Sequence, residues 1–429
     1  MKRIIFSFLL AASFFSCKSK SNTAGTNTTE ANTAETSAGF DPANTYVFIS
    51  GVLKWQSPSL SSFDNTNRKD EELYHLLAGK GISKTNMIYL KDGEATLVNM
   101  NKKLKEILQK TTPGSTFIFY YAGHGVRAGN GPVCFANYDY ESGNGFAAAT
   151  VSEQVNDLFK GKQVWLLGDC CYSGALMEEG KKIGARGKNV VVFTSSSSSN
   201  VSTGNWTFSQ TIIDCLNGSG VCDRDTDGKI SLGEVKSELF DAMKYREKQL
   251  SGTAFFNTSE ASSFNLSAVQ SIAGKPAKVE YIYVQQDNKF EPARVLKYAG
   301  NTVTGELYHY SDKAAVTVPV SKTKPIAFAD YPVGKEVEVE WHGKNYPAVI
   351  KEARDGFHYI HYTGYDDSWN EWVMYDRIFT NDQKKCTIEW SGQWYPGEML
   401  QEKDGKYFVH YTGFGKDWDE WVGKERIKL

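Results

Sequence analysis

The sequence predicts an α/β domain, built on a mainly parallel sheet flanked by helices, followed by two or three small β-barrels. Three observations predict it. Short apolar runs alternate with helix-like segments from residue 45 to about 270, the pattern of strand–helix repetition around one sheet. Residues 332–380 and 381–429 are two copies of one strand-rich unit, superposed without a gap by a shift of 49 residues, as Trp341 falling on Trp390 shows. With 429 residues, 41% of them apolar and 23% charged, the chain can bury more than one core. A formal net charge of −2 gives no general attraction to nucleic acid or to an anionic membrane surface, so partners must be read from local features.

The chain opens on Met1-Lys2-Arg3 and an apolar run from residue 4 to 15, the charged start and short apolar core of a secretory signal, too short to span a bilayer. The run stops at Ser16-Cys17. This junction resembles the lipobox of bacterial lipoproteins, with Phe14 where leucine is usual, and the resemblance implies a signal peptide over 1–16 and lipidation of Cys17. Residues 17–44, rich in Ser, Thr, Asn and Ala, cannot bury enough surface to fold and are expected to be a flexible tether. No later stretch approaches the ~18 to 20 apolar residues of a spanning helix. The expected setting is therefore extracytoplasmic, on a bacterial outer membrane facing the periplasm or the surface, with membrane attachment through the lipid alone.

In the segment 45–270, residues 46–52, 86–90, 116–121, 164–167 and 190–193 read as buried strands, and residues near 69–79, 96–110 and 152–160 as helices. Ligands of such sheets bind at the carboxyl ends of the strands. Two strands end in reactive residues there. Thr116-Phe-Ile-Phe-Tyr-Tyr121 runs into Ala122-Gly123-His124-Gly125, and Gln163-Val-Trp-Leu-Leu167 runs into Gly168-Asp169-Cys170-Cys171-Tyr172-Ser173-Gly174. A thiol attacks only as thiolate and needs an imidazole to take its proton, with backbone amides to hold the oxyanion; glycines beside His124 let main chain approach closely.

These two segments resemble the His-Gly and Asp-x-Cys-x-Ser-Gly blocks of the caspase-like peptidases, in the metacaspase and prokaryotic caspase-like branch, over about 225 residues. The separation of His124 from Cys171 is close to the ~50 residues of the caspase signature. The resemblance implies Cys171 as nucleophile, His124 as its proton partner, and the amides of Gly125 and Cys171 as oxyanion hole. Cys170 stands outside the motif and is expected to be a packing residue. Asp169 matches the metacaspase acid that lines the pocket for the residue before the cut, and Asp70 in Arg68-Lys69-Asp70-Glu71 is the candidate for the second acid. Two pocket acids imply a protein or peptide substrate cut after Arg or Lys, through charge-assisted hydrogen bonds. Lys181, Lys182, Arg186 and Lys188 lie where related enzymes are often self-cleaved, and equally suit a solvated helix C-terminus.

Asp223-Arg-Asp225-Thr-Asp227-Gly228-Lys229-Ile230-Ser231-Leu-Gly-Glu234 fits a twelve-residue EF-hand loop, between helical patterns at 208–216 and 235–247. It predicts Ca2+ held by Asp223, Asp225, Asp227, the Lys229 carbonyl and Glu234, a cofactor separate from the peptidase chemistry. The cysteines Cys134, Cys170, Cys171, Cys215, Cys222 and Cys386 follow no disulfide spacing, and a bridge such as Cys215 to Cys222 stays open.

In each C-terminal unit, Trp, Tyr-Pro, His-Tyr-Thr-Gly and Trp-x-Glu-Trp-Val recur in order: Trp341, Tyr346, His361 and Trp369, then Trp390, Tyr395, His410 and Trp418. The pattern resembles the Tudor-knot, or chromo-barrel, modules of the SH3-like class, with a diverged third barrel at 278–327. In the relatives an aromatic cage can hold methylated lysine by cation–π attraction. Acidic residues such as Asp366, Asp367, Asp417 and Asp419 would repel phosphate, so no nucleic-acid partner is expected. The sequence leaves two functions standing: an anchored cysteine endopeptidase, or a non-catalytic caspase-like lipoprotein scaffold whose barrels bind a protein or other ligand.

Overall fold

The computed structural model describes residues 41–127, 131–276, 278–309 and 312–429. The signal peptide, Cys17 and residues 17–40 of the tether lie outside these. The first domain runs, in chain order, β1 (Thr45–Gly51), α1 (Lys69–Gly79), β2 (Met87–Lys91), α2 (Leu97–Gln109), β3 (Thr116–Ala122), β4 (Gly125–Arg127), β5 (Val133–Phe135), β6 (Phe146–Ala147), α3 (Ala148–Leu158) and β7 (Gln163–Asp169). It continues through α4 (Ala175–Gly184), β8 (Asn189–Thr194), α5 (Thr207–Leu216), α6 (Leu232–Glu247) and β9 (Gly252–Phe256).

One six-stranded sheet carries the domain, in the order β2-β1-β3-β7-β8-β9; every pairing is parallel except β8 with β9. Helices cover both faces, which is why the strands read as continuous apolar runs. Leu73 and Leu77 of α1, Phe208 and Ile212 of α5 and Val235 and Leu239 of α6 pack on one face. Met100 and Leu104 of α2, Val151 and Val155 of α3 and Leu176 and Ile183 of α4 pack on the other. Local chemistry fixes the helix starts: Thr96 accepts a hydrogen bond from the Asn99 amide at 3.2 Å, and Ser231 forms a capping box with Glu234. The chain leaves β1 towards β2 on one side and β3 on the other, so the order reverses between β1 and β3, the place where such sheets bind ligands.

Three five-stranded antiparallel sheets follow. The first contains β10 (Tyr281–Gln286), β11 (Lys289–Ala299), β12 (Thr302–His309), β13 (Asp312–Pro319) and β14 (Thr323–Pro325). The second contains β15 (Glu336–Trp341), β16 (Lys344–Arg354), β17 (Phe357–Tyr362), β18 (Glu371–Met374) and β19 (Ile378–Phe379). The third contains β20 (Lys384–Trp390), β21 (Gln393–Lys403), β22 (Lys406–Tyr411), β23 (Glu420–Val422) and β24 (Ile427–Lys428). In each, the spatial order is fourth, third, second, first, fifth strand. Each also has a register shift in its second strand, at Val295/Lys297, Ile350/Glu352 and Met399/Gln401. A bulge at the same place bends each sheet in the same way, so the segment that lacks the Trp and His-Tyr-Thr-Gly markers is a third small barrel of the same design.

Candidate active site

The register Ala122↔Asp169 sets β3 beside β7 at their carboxyl ends, and the Gly123 amide donates to the Asp169 carbonyl at 3.3 Å. His124 and Cys171 each lie two residues past that pair and emerge side by side. A Cβ on Gly125 would overlap the Cys171 carbonyl oxygen, so glycine is needed where the two turns touch.

The His124 ring lies between Trp55 and Phe63, with centroids 4.4 and 4.6 Å away. Its Nε2 is 2.8 Å from the Ser61 carbonyl. A carbonyl only accepts, so Nε2 carries the proton and Nδ1 keeps its lone pair as a base. Burial pulls the imidazole pKa below its ordinary value, opposed by the Ser61 bond, which leaves it neutral at neutral pH. The Cys171 Sγ accepts from the Ser202 amide at 3.2 Å. Burial pushes the thiol up, while amides of Ser202, Cys171 and Gly125 act in the opposite direction. Two of those are the amides that the sequence names for the oxyanion. The resting pair is thus a neutral thiol and a neutral imidazole, suited to general-base transfer during attack. Among the described residues no hydrogen bond joins His124 to Cys171; such pairs often tighten only around substrate. Cys170, 2% exposed, packs in the core.

Asp169 is buried at the end of β7, where the Ser209 hydroxyl and amide donate to its Oδ2 at 2.6 and 3.2 Å. Burial pushes its carboxyl up to about 6, with hydrogen bonds from Ser209 opposing. Asp70 lies on the other side of Tyr120, whose hydroxyl feels both acids and is 2.6 Å from the Ser209 hydroxyl. Asp70 is 1% exposed and already paired: Arg68 Nη2 and Nε donate to it at 2.7 and 3.3 Å, and the Tyr89 hydroxyl at 2.7 Å. The remaining Arg68 contacts go to Asp92 at 2.6 Å and the Gly51 carbonyl at 2.9 Å. One guanidinium is thus shared between the Asp70 and Asp92 carboxylates.

The Asp223 loop tests the calcium expectation. Carboxylate oxygens of Asp223, Asp225 and Asp227 lie within 4.8 Å of one another, and Asp223 Oδ1 is buried with no hydrogen-bond partner. An orphaned buried carboxylate oxygen beside two others fits a hard cation. Glu234 is arranged otherwise: Oε1 accepts from the Arg224 and Asp225 amides at 2.5 and 3.2 Å, and Oε2 from the Ser231 amide at 2.8 Å. The Lys229 amide donates to Asp227 at 2.8 Å. Cys215 and Cys222 form a disulfide immediately before the loop; Cys134, Cys170, Cys171 and Cys386 are free.

Among the clefts that lie away from the thiol, two bear on function. The larger, about 590 Å³, includes Met177, Ser197, Leu250 and Arg354, and neither Cys171 nor His124. The smaller, about 110 Å³, is lined by Trp341, Tyr346, Tyr362, Tyr365 and Trp369 of the second barrel.

Residues 381–429 match the Tudor-knot family, described as the RNA binding activity-knot of a chromodomain. No curated protein matches the sequence. Among solved structures, protein GSU0716 from Geobacter sulfurreducens is 10% identical, with a TM-score of 0.36, covering 53% of this chain and 100% of its own. Caspase-1 from Spodoptera frugiperda is 11% identical, with a TM-score of 0.34, covering 54% of this chain and 92% of its own. AGDP1 AGD34 from Arabidopsis thaliana is 12% identical, with a TM-score of 0.13, covering 29% and 88%. Residues 61–279, half of the chain, match the caspase domain, and the chain belongs to that family of cysteine peptidases.

Proposed function

We propose that this chain is a metacaspase-like endopeptidase that cuts after Arg or Lys through Cys171 and His124. The observation that carries the reading is the meeting of the two turns, which brings Gly125, next to His124, against the main chain of Cys171. In the first step His124 Nδ1 takes the thiol proton as Cys171 Sγ bonds to the scissile carbonyl carbon, and the two amides hold the oxyanion. Collapse gives a thioester on Cys171, and the proton on His124 passes to the leaving amine. Water, losing a proton to His124, then hydrolyses the thioester and frees the thiol. Trp55, Phe63 and the Ser61 carbonyl keep the ring in the tautomer this needs.

The basic preference rests chiefly on Asp169, with Asp70, which shares Arg68 with Asp92, as the second acid. A calcium ion, held by Asp223, Asp225 and Asp227, would offset the mutual repulsion of those acids and brace the turn before α6. Lipidation at Cys17 would place the enzyme outside the cytoplasm, on a membrane it does not cross; the described residues contain no helix long and apolar enough to cross one. The test is turnover of otherwise identical peptides ending in Arg, Lys or Asp, by wild type and Cys171→Ala. Arg and Lys turnover lost in the variant is expected; Asp-selective turnover, or activity surviving in Cys171→Ala, would sink the reading.

A second reading has its own observation. The thiol is covered by the Ser202 backbone, while the second barrel carries an open aromatic cleft, so the caspase-like domain would be a scaffold and the barrels the working part. A substrate-mimicking electrophile carrying Arg separates the two: labelling of Cys171 supports the peptidase, and no labelling with or without calcium supports the scaffold.

A further inference from the structure

We infer that the second barrel is a positioning element of the nucleophile, acting through Asn200, which ties the barrel's edge strand to the turn that carries Cys171. The inference rests on the peptidase reading for its meaning, and on geometry that is independent of it.

β18 is the edge strand of the second barrel, so one side of it has no strand partner. In the register Tyr359↔Trp372, the Trp372 main chain faces outward from that edge. Asn200 meets it there. The Asn200 side-chain nitrogen donates to the Trp372 carbonyl at 2.7 Å, and the Trp372 amide donates to the Asn200 side-chain oxygen at 3.0 Å. A carboxamide offers one donor and one acceptor in the spacing of a peptide group, so this one side chain closes the edge as a neighbouring strand would. Asn200 is buried, and the contact joins residues far apart in the chain.

From Asn200 the connection to the chemistry is short. Its own carbonyl accepts from the Tyr172 amide at 2.8 Å, directly after the nucleophile. Tyr172 has φ 58°, a left-handed backbone that a tyrosine rarely adopts and that its surroundings must hold in place. Two residues beyond Asn200, the Ser202 amide donates to Cys171 Sγ. The segment 200–202 therefore touches both sides of the thiol, and its far side is pinned by Trp372. The same interface has its own support nearby, in the Lys248–Asp376 ion pair at 2.7 Å and the apolar contact of Leu250 with Phe357 and Met374. Those contacts hold the barrel in place without reaching the thiol. Asn200 alone among these links the barrel backbone to the catalytic turn.

Without the Asn200 clamp the barrel stays docked, but the turn loses the constraint on Tyr172 and the cover from Ser202. Turnover and thiol access should then move in opposite directions. The experiment compares full-length wild type, Asn200→Ala and Asn200→Asp. Asp keeps the acceptor for the Trp372 amide and loses the donor to its carbonyl. Two measurements are made: kcat and KM on an Arg-ending peptide, and the rate of iodoacetamide alkylation at Cys171, followed by peptide mapping across a pH series from 7 to 9 so that access and ionisation are separated. For Asn200→Ala the expected result is a kcat at least tenfold lower with KM within twofold, and Cys171 alkylation several-fold faster, with Asn200→Asp between it and wild type. Melting within a few degrees of wild type shows that the fold persists; should Asn200→Ala fail to fold, Asn200→Asp alone is held to the same pattern. Alkylation of Cys171 unchanged in the variants, or a kcat within twofold of wild type, overturns the inference. If wild type itself shows no turnover, the peptidase reading has failed, and the alkylation arm still decides whether Asn200 positions the thiol.

Discussion

Replacing Asp169 with Asn separates the cost of the proposed specificity acid from its use. The carboxyl is 2% exposed, and burial pushes it from 3.8 to about 6. An acid whose pKa is raised on folding binds its proton more tightly in the folded state. Stability therefore falls as pH rises from about 4 to 6, and above 6 the full penalty is present. At about 1.4 kcal/mol for each unit, the penalty is roughly 3 kcal/mol. Asn has no charge to desolvate, and its amide oxygen can still accept the two hydrogen bonds from Ser209. The raised pKa already nets those bonds against burial, so the variant should gain up to roughly 3 kcal/mol near pH 8. The same change removes the partner of a substrate guanidinium, a loss of roughly 3–4 kcal/mol, or a fall in kcat/KM of about 100- to 1000-fold. Denaturant titrations of both proteins near pH 8 and pH 4, beside kcat/KM on an Arg-ending peptide, measure both halves. The variant should be more stable only at the higher pH, and far less active. Equal stability differences at the two pH values would refute the desolvation argument, and Arg turnover within threefold of wild type would refute the role.

Three other perturbations test the surroundings. Arg68→Met leaves the Asp70 carboxylate buried and unpaired, so the variant should lose about 3–5 kcal/mol in denaturant unfolding; a loss under 1 kcal/mol would contradict the pairing. Calcium should raise the melting temperature of wild type, by an amount equivalent to about 2.7 kcal/mol at a hundred times its dissociation constant, and leave Asp223→Ala unmoved. Equal response of the two proteins would place the ion elsewhere. Gly125→Ala forces a methyl group against the Cys171 carbonyl and would displace the amide proposed for the oxyanion, so kcat should fall by about 100- to 1000-fold in a protein that still melts cooperatively; wild-type kcat would refute that role for Gly125.

How much of this was legible depended on which atoms carry the information. Strands β1, β3, β7 and β8 announce themselves because helices cover both faces and each carries an unbroken run of at least four apolar residues. Strand β9 and the small sheet of β4, β5 and β6 do not, being short and without a period. His124 and Cys171 stand out as polar residues at the ends of buried runs. Ser61 and Ser202 act through a main-chain carbonyl and a main-chain amide, and no side-chain type in the sequence encodes that. The role of Arg68 was not legible, because a charge is buried or solvated according to its fold, and only the fold brings Asp70, Asp92 and the Gly51 carbonyl around it.

The tandem repeat shows the same limit most sharply. Trp341, Tyr346, Tyr362, Tyr365 and Trp369 correspond to Trp390, Tyr395, Tyr411, Phe414 and Trp418, so the two copies read as equal cages. They are not equal. Trp369 is 48% exposed beside an open cleft, whereas Trp418 is 9% exposed, with its ring 5.7 Å from Trp390 and 4.8 Å from Phe414. What turns Trp418 inward comes from the first barrel. Its indole nitrogen donates to the Asn288 carbonyl at 3.4 Å, Phe290 packs against the ring at 4.9 Å, and the Lys324 ammonium, lowered by burial to about 8, sits 4.4 Å from the Phe290 ring. The cage of the third barrel is thus used up as the joint that holds the first barrel. Among the described residues no such hairpin packs on the corresponding face of the second barrel, and Trp369 stays exposed. Residues that decide between joint and cleft lie outside both repeats, so no comparison of one copy with the other can find them.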